Sequence, residues 1–189
     1  MRKLNLKMFI GIAMLSSLAY VIMFIKFPIP PFPPYLTVDF SDIPAFIAAL
    51  LFGPVGAILV EIIKNALDYF THGSEAGLPI GNIANIFAGI LFVLPTYFIY
   101  KRMKTKKGMT FALFIGTLSL AVMMSVLNYF VILPAYLILM NFSVPNVKEY
   151  IIAGILPFNI IKGIIVSIIF MLLFSRMQNW INKQSIINN

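Results

Sequence analysis

The sequence has no cysteine and only one histidine, His72, among its 189 residues. It therefore forms no disulfide bond, offers no thiol nucleophile and lacks the side chains of a histidine-based metal site. Charged residues are also scarce, at 11% of the chain, whereas soluble domains carry about 25%. Hydrophobic residues make up 61%. This balance predicts an all-α integral membrane protein with a single transmembrane domain over residues 1–189.

Sequence motifs of ATP hydrolysis and of common hydrolases are missing as well. The chain contains no GxxxxGK[ST] phosphate-binding loop, no HExxH zinc motif and no GxSxG nucleophile motif. We therefore expect neither an enzyme activity nor a bound cofactor. If the protein moves a solute uphill, another subunit has to supply the energy.

Six apolar segments, separated by short polar or proline-rich stretches, predict six transmembrane helices. The predicted helices cover residues 4–26, 41–53, 55–70, 79–100, 110–133 and 150–180. We expect the first to be a retained helix rather than a cleaved signal peptide, because its apolar run is longer than the roughly 7–15 residues of a signal-peptide core. Ser41 or Asp42 is expected to cap the second helix, and Pro134 to kink or end the fifth.

The net charge of +8 is distributed as an orientation signal rather than as a nucleic-acid-binding surface. With six crossings, ten of the 14 basic residues fall on the side of the two termini, five of them in the loop at 101–107. Only Lys26 and Lys148 fall on the other side. Cytoplasmic loops carry an excess of Lys and Arg. We therefore expect a multi-pass protein of the cell membrane with both termini in the cytoplasm, and no nucleic-acid partner beside the lipid bilayer.

Lys162 is the most informative polar residue, because it lies near the middle of the last apolar segment. A lysine at the bilayer centre costs about 2.5–3.5 kcal/mol, so it normally faces a partner, a water-filled cavity or a ligand. Glu61, Lys64 and Asp68 share one face of the third helix and can neutralise one another as a ladder. A ligand or proton role for these three residues is the alternative.

Asparagines recur in the last three apolar segments, at Asn82, Asn85, Asn128 and Asn159. A single buried asparagine usually joins two transmembrane helices by a hydrogen bond. Three successive helices that offer amide groups, with Lys162 on the last, favour a pocket for a planar small molecule with mixed donors and acceptors.

The proline-rich stretch at 28–34 cannot form a helix and predicts an extended loop on the outer side. Tyr35, Thr37 and Asp39 follow it directly. This loop either covers a cavity from outside or serves as a stiff connector.

Two stretches carry a resemblance to a known family. The run DFSDIPAFIAALLFGPVGAILVEIIKNALDYF at 39–70 and the motif PFNIIKG at 157–163 resemble the S components of energy-coupling factor vitamin importers, and most of all the riboflavin-binding ones. The resemblance covers nearly the whole chain. It implies a six-helix membrane subunit that captures a vitamin from outside and has no ATPase activity. A transmembrane coupling subunit and two cytosolic ATPase subunits are the implied partners.

The resemblance also implies a docking face and a lid. Family members offer small residues on the first helix, often as AxxxA, to the coupling subunit. Ala13 and Ser17 match that pattern here, with serine in place of the second alanine. The loop at 28–40 corresponds to the family's lid, which brings Tyr35, Thr37 and Asp39 to the substrate side.

Riboflavin is the transported ligand that the resemblance implies. Asn128, Asn159 and Lys162 are expected to hydrogen-bond its isoalloxazine ring, and Asn85 and the lid to hold the ribityl chain or close the site. An S component for another vitamin is one alternative. A stand-alone transporter, in which Lys162 pairs with Glu61 or Asp68 as an ion relay, is a second, and a membrane enzyme is the last.

Overall fold

The computed structural model describes residues 6–33, 35–73, 77–139 and 144–184. The elements are α1 (Leu6–Met23), β1 (Phe27–Pro28), β2 (Thr37–Val38), α2 (Asp42–Phe52), α3 (Pro54–His72), α4 (Ile80–Met103), α5 (Lys106–Leu127), α6 (Leu133–Leu139), α7 (Val147–Tyr150) and α8 (Leu156–Gln184). A π-helical turn at Asn128–Ile132 joins α5 to α6, and another at Ile151–Ile155 joins α7 to α8. The described residues thus form six continuous helical segments, as the sequence predicts.

Four of these segments are long and apolar enough to cross a membrane. They are Leu6–Met23, Ile80–Met103, Lys106–Leu139 and Val147–Ile181. The other two differ: α2 is apolar but has only 11 residues, and α3 carries acidic and basic residues along its 19. Gly53 joins α2 to α3 with a φ of 82°, a left-handed conformation that glycine adopts without strain. The two helices pack against each other as a pair broken at this glycine.

The two π-helical turns each lie two residues before a proline. Asn128–Ile132 precedes Pro134, and Ile151–Ile155 precedes Pro157. Proline has no backbone N–H, and its ring collides with the carbonyl one turn earlier in a regular α-helix. A widened turn accommodates both effects, so the helix continues to Leu139. The sequence therefore predicts where the fifth helix is irregular, near Pro134. It does not predict that the irregularity is a π-helical turn.

The capping role predicted for Ser41 or Asp42 is wrong. Ser41 is the residue at the N-cap position of α2, but neither side chain caps the helix. The Ser41 hydroxyl instead donates to Asp39 and accepts a hydrogen bond from Lys64. Asp42 forms an ion pair with Lys64. A buried ammonium group binds an oxygen more strongly than a backbone N–H does, because charge-assisted hydrogen bonds are the stronger ones.

A small antiparallel β-pair closes the loop between α1 and α2. Phe27 pairs with Val38, and Pro28 pairs with Thr37. The all-α prediction did not include it. The pair brings the two ends of the proline-rich loop together, so Tyr35 and Asp39 are held near the ends of α1 and α3.

Several buried polar residues, among them Asp39, Asp42 and Lys162, lie towards the end of the helices that is opposite the described chain ends. The end of α1 lies beside the end of α3, where the Phe24 and His72 rings are 5.0 Å apart. The far halves of α4 and α8 meet through Tyr100 and Phe174, 5.4 Å apart. The basic loop at 101–107 therefore lies at the end of the protein that also holds Gln184 and the start of α1.

The outward surface of the helices is apolar. Phe130, Ile138, Phe70 and Leu172 are 71%, 77%, 81% and 64% exposed, respectively. Soluble monomers rarely expose contiguous apolar surface on this scale. Side chains of this kind suit contact with lipid hydrocarbon, which agrees with the predicted membrane protein.

Candidate functional site

A cavity of about 340 Å³ lies between the polar ends of the helices and the loop that follows α1. This volume falls within the range of small-molecule sites. All seven residues selected from the sequence as substrate-binding residues line it. They are Tyr35, Thr37, Asp39, Asn85, Asn128, Asn159 and Lys162. The loop contributes Tyr35, Thr37 and Asp39, and α4 contributes Asn85. The two helical segments with π-helical turns contribute Asn128, Asn159 and Lys162.

Asn128 and Asn159 are placed by the helix irregularities. Asn128 opens the first π-helical turn, and Asn159 lies in the first turn of α8, directly after the second. Each side-chain amide nitrogen donates 2.8 Å to the backbone carbonyl four residues earlier, Met124 and Ile155 respectively. An amide nitrogen carries two N–H groups, so each asparagine keeps its oxygen and one N–H for a ligand. Both side chains can therefore accept and donate, in agreement with the mixed donors and acceptors expected from the sequence.

Asn85 contributes an unpaired acceptor. Its amide oxygen is buried and has no hydrogen-bond partner in the described part of the chain. A buried polar atom without a partner costs about 1–3 kcal/mol. Since Asn85 lines the cavity, a donor on a bound molecule is the natural partner for this oxygen.

Lys162 is the cationic group of the cavity, and it is only 4% exposed. Its ammonium nitrogen lies 3.4 Å from Asp39 Oδ2 and 4.0 Å from Asp42 Oδ2. Both distances exceed the roughly 2.7–2.9 Å of a strong ammonium–carboxylate hydrogen bond. Glu61 and Asp68, the partners expected for an ion relay, are not its ion-pair partners in the described residues. Lys162 therefore has charge compensation and can still donate to a ligand.

Lys64 is held much more tightly and does not line the cavity. Its ammonium nitrogen lies 2.8 Å from Ser41 Oγ, 2.7 Å from Asp42 Oδ1 and 2.9 Å from Glu61 Oε2. Lys64 and Glu61 are both fully buried. These contacts join the start of α2 to the middle of α3, so the buried ions around Lys64 hold the scaffold behind the cavity.

The three-residue ladder predicted on α3 is only partly present. Glu61 and Lys64 form the expected pair. Asp68 instead accepts a hydrogen bond of 2.7 Å from Asn82 Nδ2 and lies 3.2 Å from His72 Nδ1. The charged residues of α3 therefore form two groups. Glu61 and Lys64 are a buried pair, whereas Asp68 lies further out and lines the cavity with His72.

Tyr35 ties the loop across the cavity to the last two helical segments. Its hydroxyl oxygen lies 2.7 Å from that of Tyr150, and its ring stacks on Tyr136 with centroids 5.2 Å apart. Burial, together with the hydrogen bond to Tyr150, raises the pKa of the Tyr35 phenol. The neutral hydroxyl needed for this contact is therefore kept.

Several lining residues were missed in the selection from sequence. Asp68, Asn82, His72 and Lys26 all face the same cavity. Asn82 is among the recurring asparagines noted in the sequence, and it lies on the same helix face as Asn85, but it was not selected as a binding residue. Asp68 was noted only in the ladder on α3. Lys26 and His72 line the cavity because the ends of α1 and α3 lie side by side. The sequence pattern does not show this contact.

The two residues predicted to dock a partner lie away from the cavity. Ala13 and Ser17 are exposed on α1. The buried residues of that helix are Ile12, Ser16, Ala19 and Met23, on another face. The Ser17 hydroxyl donates 3.0 Å to the Ala13 carbonyl, so it places no unpaired polar group on this surface.

The sequence of this chain matches a known family over most of its length. Residues 7–174 match the family described as "ECF transporter, substrate-specific component". The chain belongs to this family. It is a transport protein rather than an enzyme.

Individual relatives agree with the family match. The riboflavin transporter FmnP of Bacillus subtilis is 46% identical over 184 residues, which cover 96% of this chain and 97% of that protein. The riboflavin transporter RibU of Staphylococcus aureus is also 46% identical, over 187 residues, 96% of this chain and 97% of its own. A solved structure described as the S component of a bacterial ECF transporter superposes with a TM-score of 0.79. It is 46% identical, and the match covers 92% of this chain and 96% of that one.

Proposed function

We propose that this protein is the riboflavin-binding S component of an energy-coupling factor importer. One observation carries the proposal: seven residues chosen from the sequence as riboflavin-binding residues line a single cavity of about 340 Å³. The 46% identity to two riboflavin transporters, over almost their full length, supports the choice of vitamin. Riboflavin is then the transported ligand and not a cofactor.

The cavity offers groups that complement the flavin ring system. The pyrimidine part of isoalloxazine has an N–H flanked by two carbonyl groups. One of the amide oxygens of Asn128 and Asn159 accepts from that N–H, the remaining amide N–H groups donate to the flanking carbonyls, and the Lys162 ammonium also donates to a ring carbonyl. The aromatic rings of Tyr136 and Phe158 line the same cavity and provide apolar contact for the ring faces.

The remaining predicted residues hold the other end of the ligand or close the site. The unpaired oxygen of Asn85 accepts from a ribityl hydroxyl. Tyr35, Thr37 and Asp39 belong to the lid, which covers the ligand from outside. The hydrogen bond between Tyr35 and Tyr150 keeps this lid against the last helical segment.

The orientation follows from the charge distribution. The basic loop at 101–107 lies at the end of the protein opposite the cavity. Under the positive-inside rule this end faces the cytoplasm, together with both termini. The cavity then opens towards the outside of the cell membrane, where an importer has to capture its substrate.

Transport requires other subunits in addition to this chain. It has no phosphate-binding loop, and the resemblance to the family implies two separate cytosolic ATPase subunits that hydrolyse ATP. A transmembrane coupling subunit connects them to this protein, and the exposed Ala13 and Ser17 on α1 form the contact surface.

The vitamin assignment is tested by titrating the purified protein with riboflavin. Riboflavin fluorescence is quenched on binding between aromatic and polar side chains, and we expect saturable quenching with one site per chain. A preparation that neither absorbs as a flavin nor quenches flavin fluorescence contradicts riboflavin as the ligand. Quenching by a different vitamin's fluorescent analogue, with none by riboflavin, would favour an S component for another vitamin.

The ring contacts are tested with Asn159→Ala. This change removes the acceptor and leaves the buried ions around Lys64 intact, so the fold should be retained. We expect riboflavin affinity to fall about tenfold, as for the loss of one hydrogen bond of about 1.4 kcal/mol. Lys148→Met, at an exposed lysine outside the cavity, is the control and should keep the wild-type affinity. Unchanged affinity in Asn159→Ala contradicts the assignment of Asn159.

A further inference from the structure

Asp68 and Asn82 form a polar pair at the outer end of the cavity. Asn82 Nδ2 donates 2.7 Å to Asp68 Oδ2 and lies 3.3 Å from the backbone carbonyl of Asn65. Asp68 Oδ1 lies 3.2 Å from His72 Nδ1. We propose that this pair is the binding subsite for the polyhydroxylated chain of the ligand. The inference rests on the proposed function and deepens it.

The depth of the pair along the helices supports this assignment. Lys64 and Lys162 both approach Asp42, at 2.7 Å and 4.0 Å, so they lie at the same level. Asp68 follows Lys64 by four residues, which places it about 6 Å further out along α3. A flavin ring bound at Lys162 therefore has its side chain within one helical turn of Asp68, a distance that a five-carbon chain spans.

The positions of Asn82 and Asn85 along α4 also place the pair at the outer end of the cavity. Asn85, with its unpaired buried oxygen, lies one turn deeper on α4 than Asn82. The two amides lie on one helix face, and both line the cavity. Asn85 and then the Asp68–Asn82 pair thus form a continuous polar track from the buried end of the cavity to its mouth.

The chemistry of the pair selects hydroxyl groups. A carboxylate offers about four acceptor sites, of which Asn82 and His72 occupy two. The Asn82 amide oxygen accepts no hydrogen bond from the residues that the structure describes. These acceptors suit hydroxyl donors, and the carboxylate disfavours an anionic group at the same place. A neutral polyol chain is therefore the ligand part that fits.

The test compares two flavins that differ only in the side chain. Riboflavin carries the ribityl chain, whereas lumiflavin carries a methyl group in its place. Purified full-length protein is titrated with both, as wild type and as the Asp68→Asn and Asn82→Ala variants. We expect each variant to weaken riboflavin binding about ten- to hundredfold, because a hydrogen bond to a charged or buried partner is lost. Lumiflavin affinity should stay within about twofold, since the ring contacts are unchanged.

Lumiflavin binding also shows that the variants are folded. Tyr20→Phe is the matched control, because Tyr20 donates to Thr71 at the same outer level but does not line the cavity. Its affinities for both flavins should equal those of the wild type. Equal losses for both flavins, or no loss for either, would overturn the subsite. A wild-type protein that binds neither flavin would instead refute the proposed function, and with it this inference.

Discussion

Lys162 Nζ lies 3.4 Å from Asp39 Oδ2, across 123 residues of sequence. The contact connects the first turns of α8 to the last part of the lid, inside the cavity. A ligand that takes a hydrogen bond from Lys162 therefore also alters the interaction that holds Asp39. We therefore expect substrate binding and the position of the lid to be coupled through this pair.

The two buried lysines differ in how strongly they support the fold, and this difference can be measured. Lys64 makes three contacts of 3.0 Å or less, whereas the nearest carboxylate oxygen of Lys162 is 3.4 Å away. Removing one partner of a buried ion pair costs about 3–5 kcal/mol. We expect Lys64→Met to approach this loss and Lys162→Met to fall clearly below it. Thermal unfolding of the purified proteins without ligand gives the comparison.

The opposite order of stability would show that Lys162, and not Lys64, holds the scaffold. Riboflavin titration completes the experiment. Lys162→Met should lose most of its affinity although it is the more stable of the two variants. A structural role for Lys162 alone predicts that affinity and stability fall together.

Gly89 is required because the Glu61 carboxyl group packs directly against it. A Cβ atom at this position would collide with the carboxyl atoms of Glu61, which is fully buried. Overpacking of a buried site typically costs about 1–3 kcal/mol. We expect Gly89→Ala to be destabilised by this amount in thermal unfolding. Gly154→Ala is the control, since a Cβ atom there meets nothing within 4 Å; equal stability of both variants would contradict the close packing.

The sequence predicts the number of helices and most of their approximate ends. Alternating apolar and polar stretches identify membrane helices reliably, because every apolar run has to be buried in lipid or protein. Asparagine spacing and the uncompensated lysine also identify residues that lie together in the fold. Asn85, Asn128 and Asn159 lie on three different helices, yet they line one cavity with Lys162.

The sequence does not show which residues far apart in the chain contact each other. The ion-relay alternative pairs Lys162 with Glu61 or Asp68, the charges visible within the predicted helices. The carboxylates that approach it are instead those of Asp39 and Asp42. Such a contact depends on how α8 packs against the lid and α2. The π-helical turns were missed for a different reason: a proline marks a distortion, but several backbone solutions relieve it.

The lid should open more easily when the contact between Tyr35 and Tyr150 is weakened. Tyr150→Phe removes one hydroxyl of the pair and changes no residue that lines the cavity. A net loss of about 1 kcal/mol corresponds to roughly fivefold faster dissociation of riboflavin. Stopped-flow recovery of flavin fluorescence measures this rate. The association rate should change little.

A double-mutant cycle isolates the hydroxyl contact from other effects of the two changes. Tyr35→Phe keeps the ring stacked on Tyr136, so it should accelerate dissociation to a similar degree as Tyr150→Phe. Because both single changes remove the same hydrogen bond, the double variant should be no faster than either one. Additive effects would show that the two hydroxyl groups act independently.

A change on the exposed surface of α1 should reduce transport and leave riboflavin binding intact. Ala13 and Ser17 are exposed small residues outside the cavity, so a bulky side chain there leaves the site unchanged but prevents close approach of another helix. We expect Ser17→Leu to keep wild-type riboflavin affinity as purified protein. Uptake by cells that contain the coupling and ATPase subunits should fall at least tenfold. Leu18→Phe enlarges the neighbouring exposed position and should retain uptake, while normal uptake in Ser17→Leu would place the partner contact on another face.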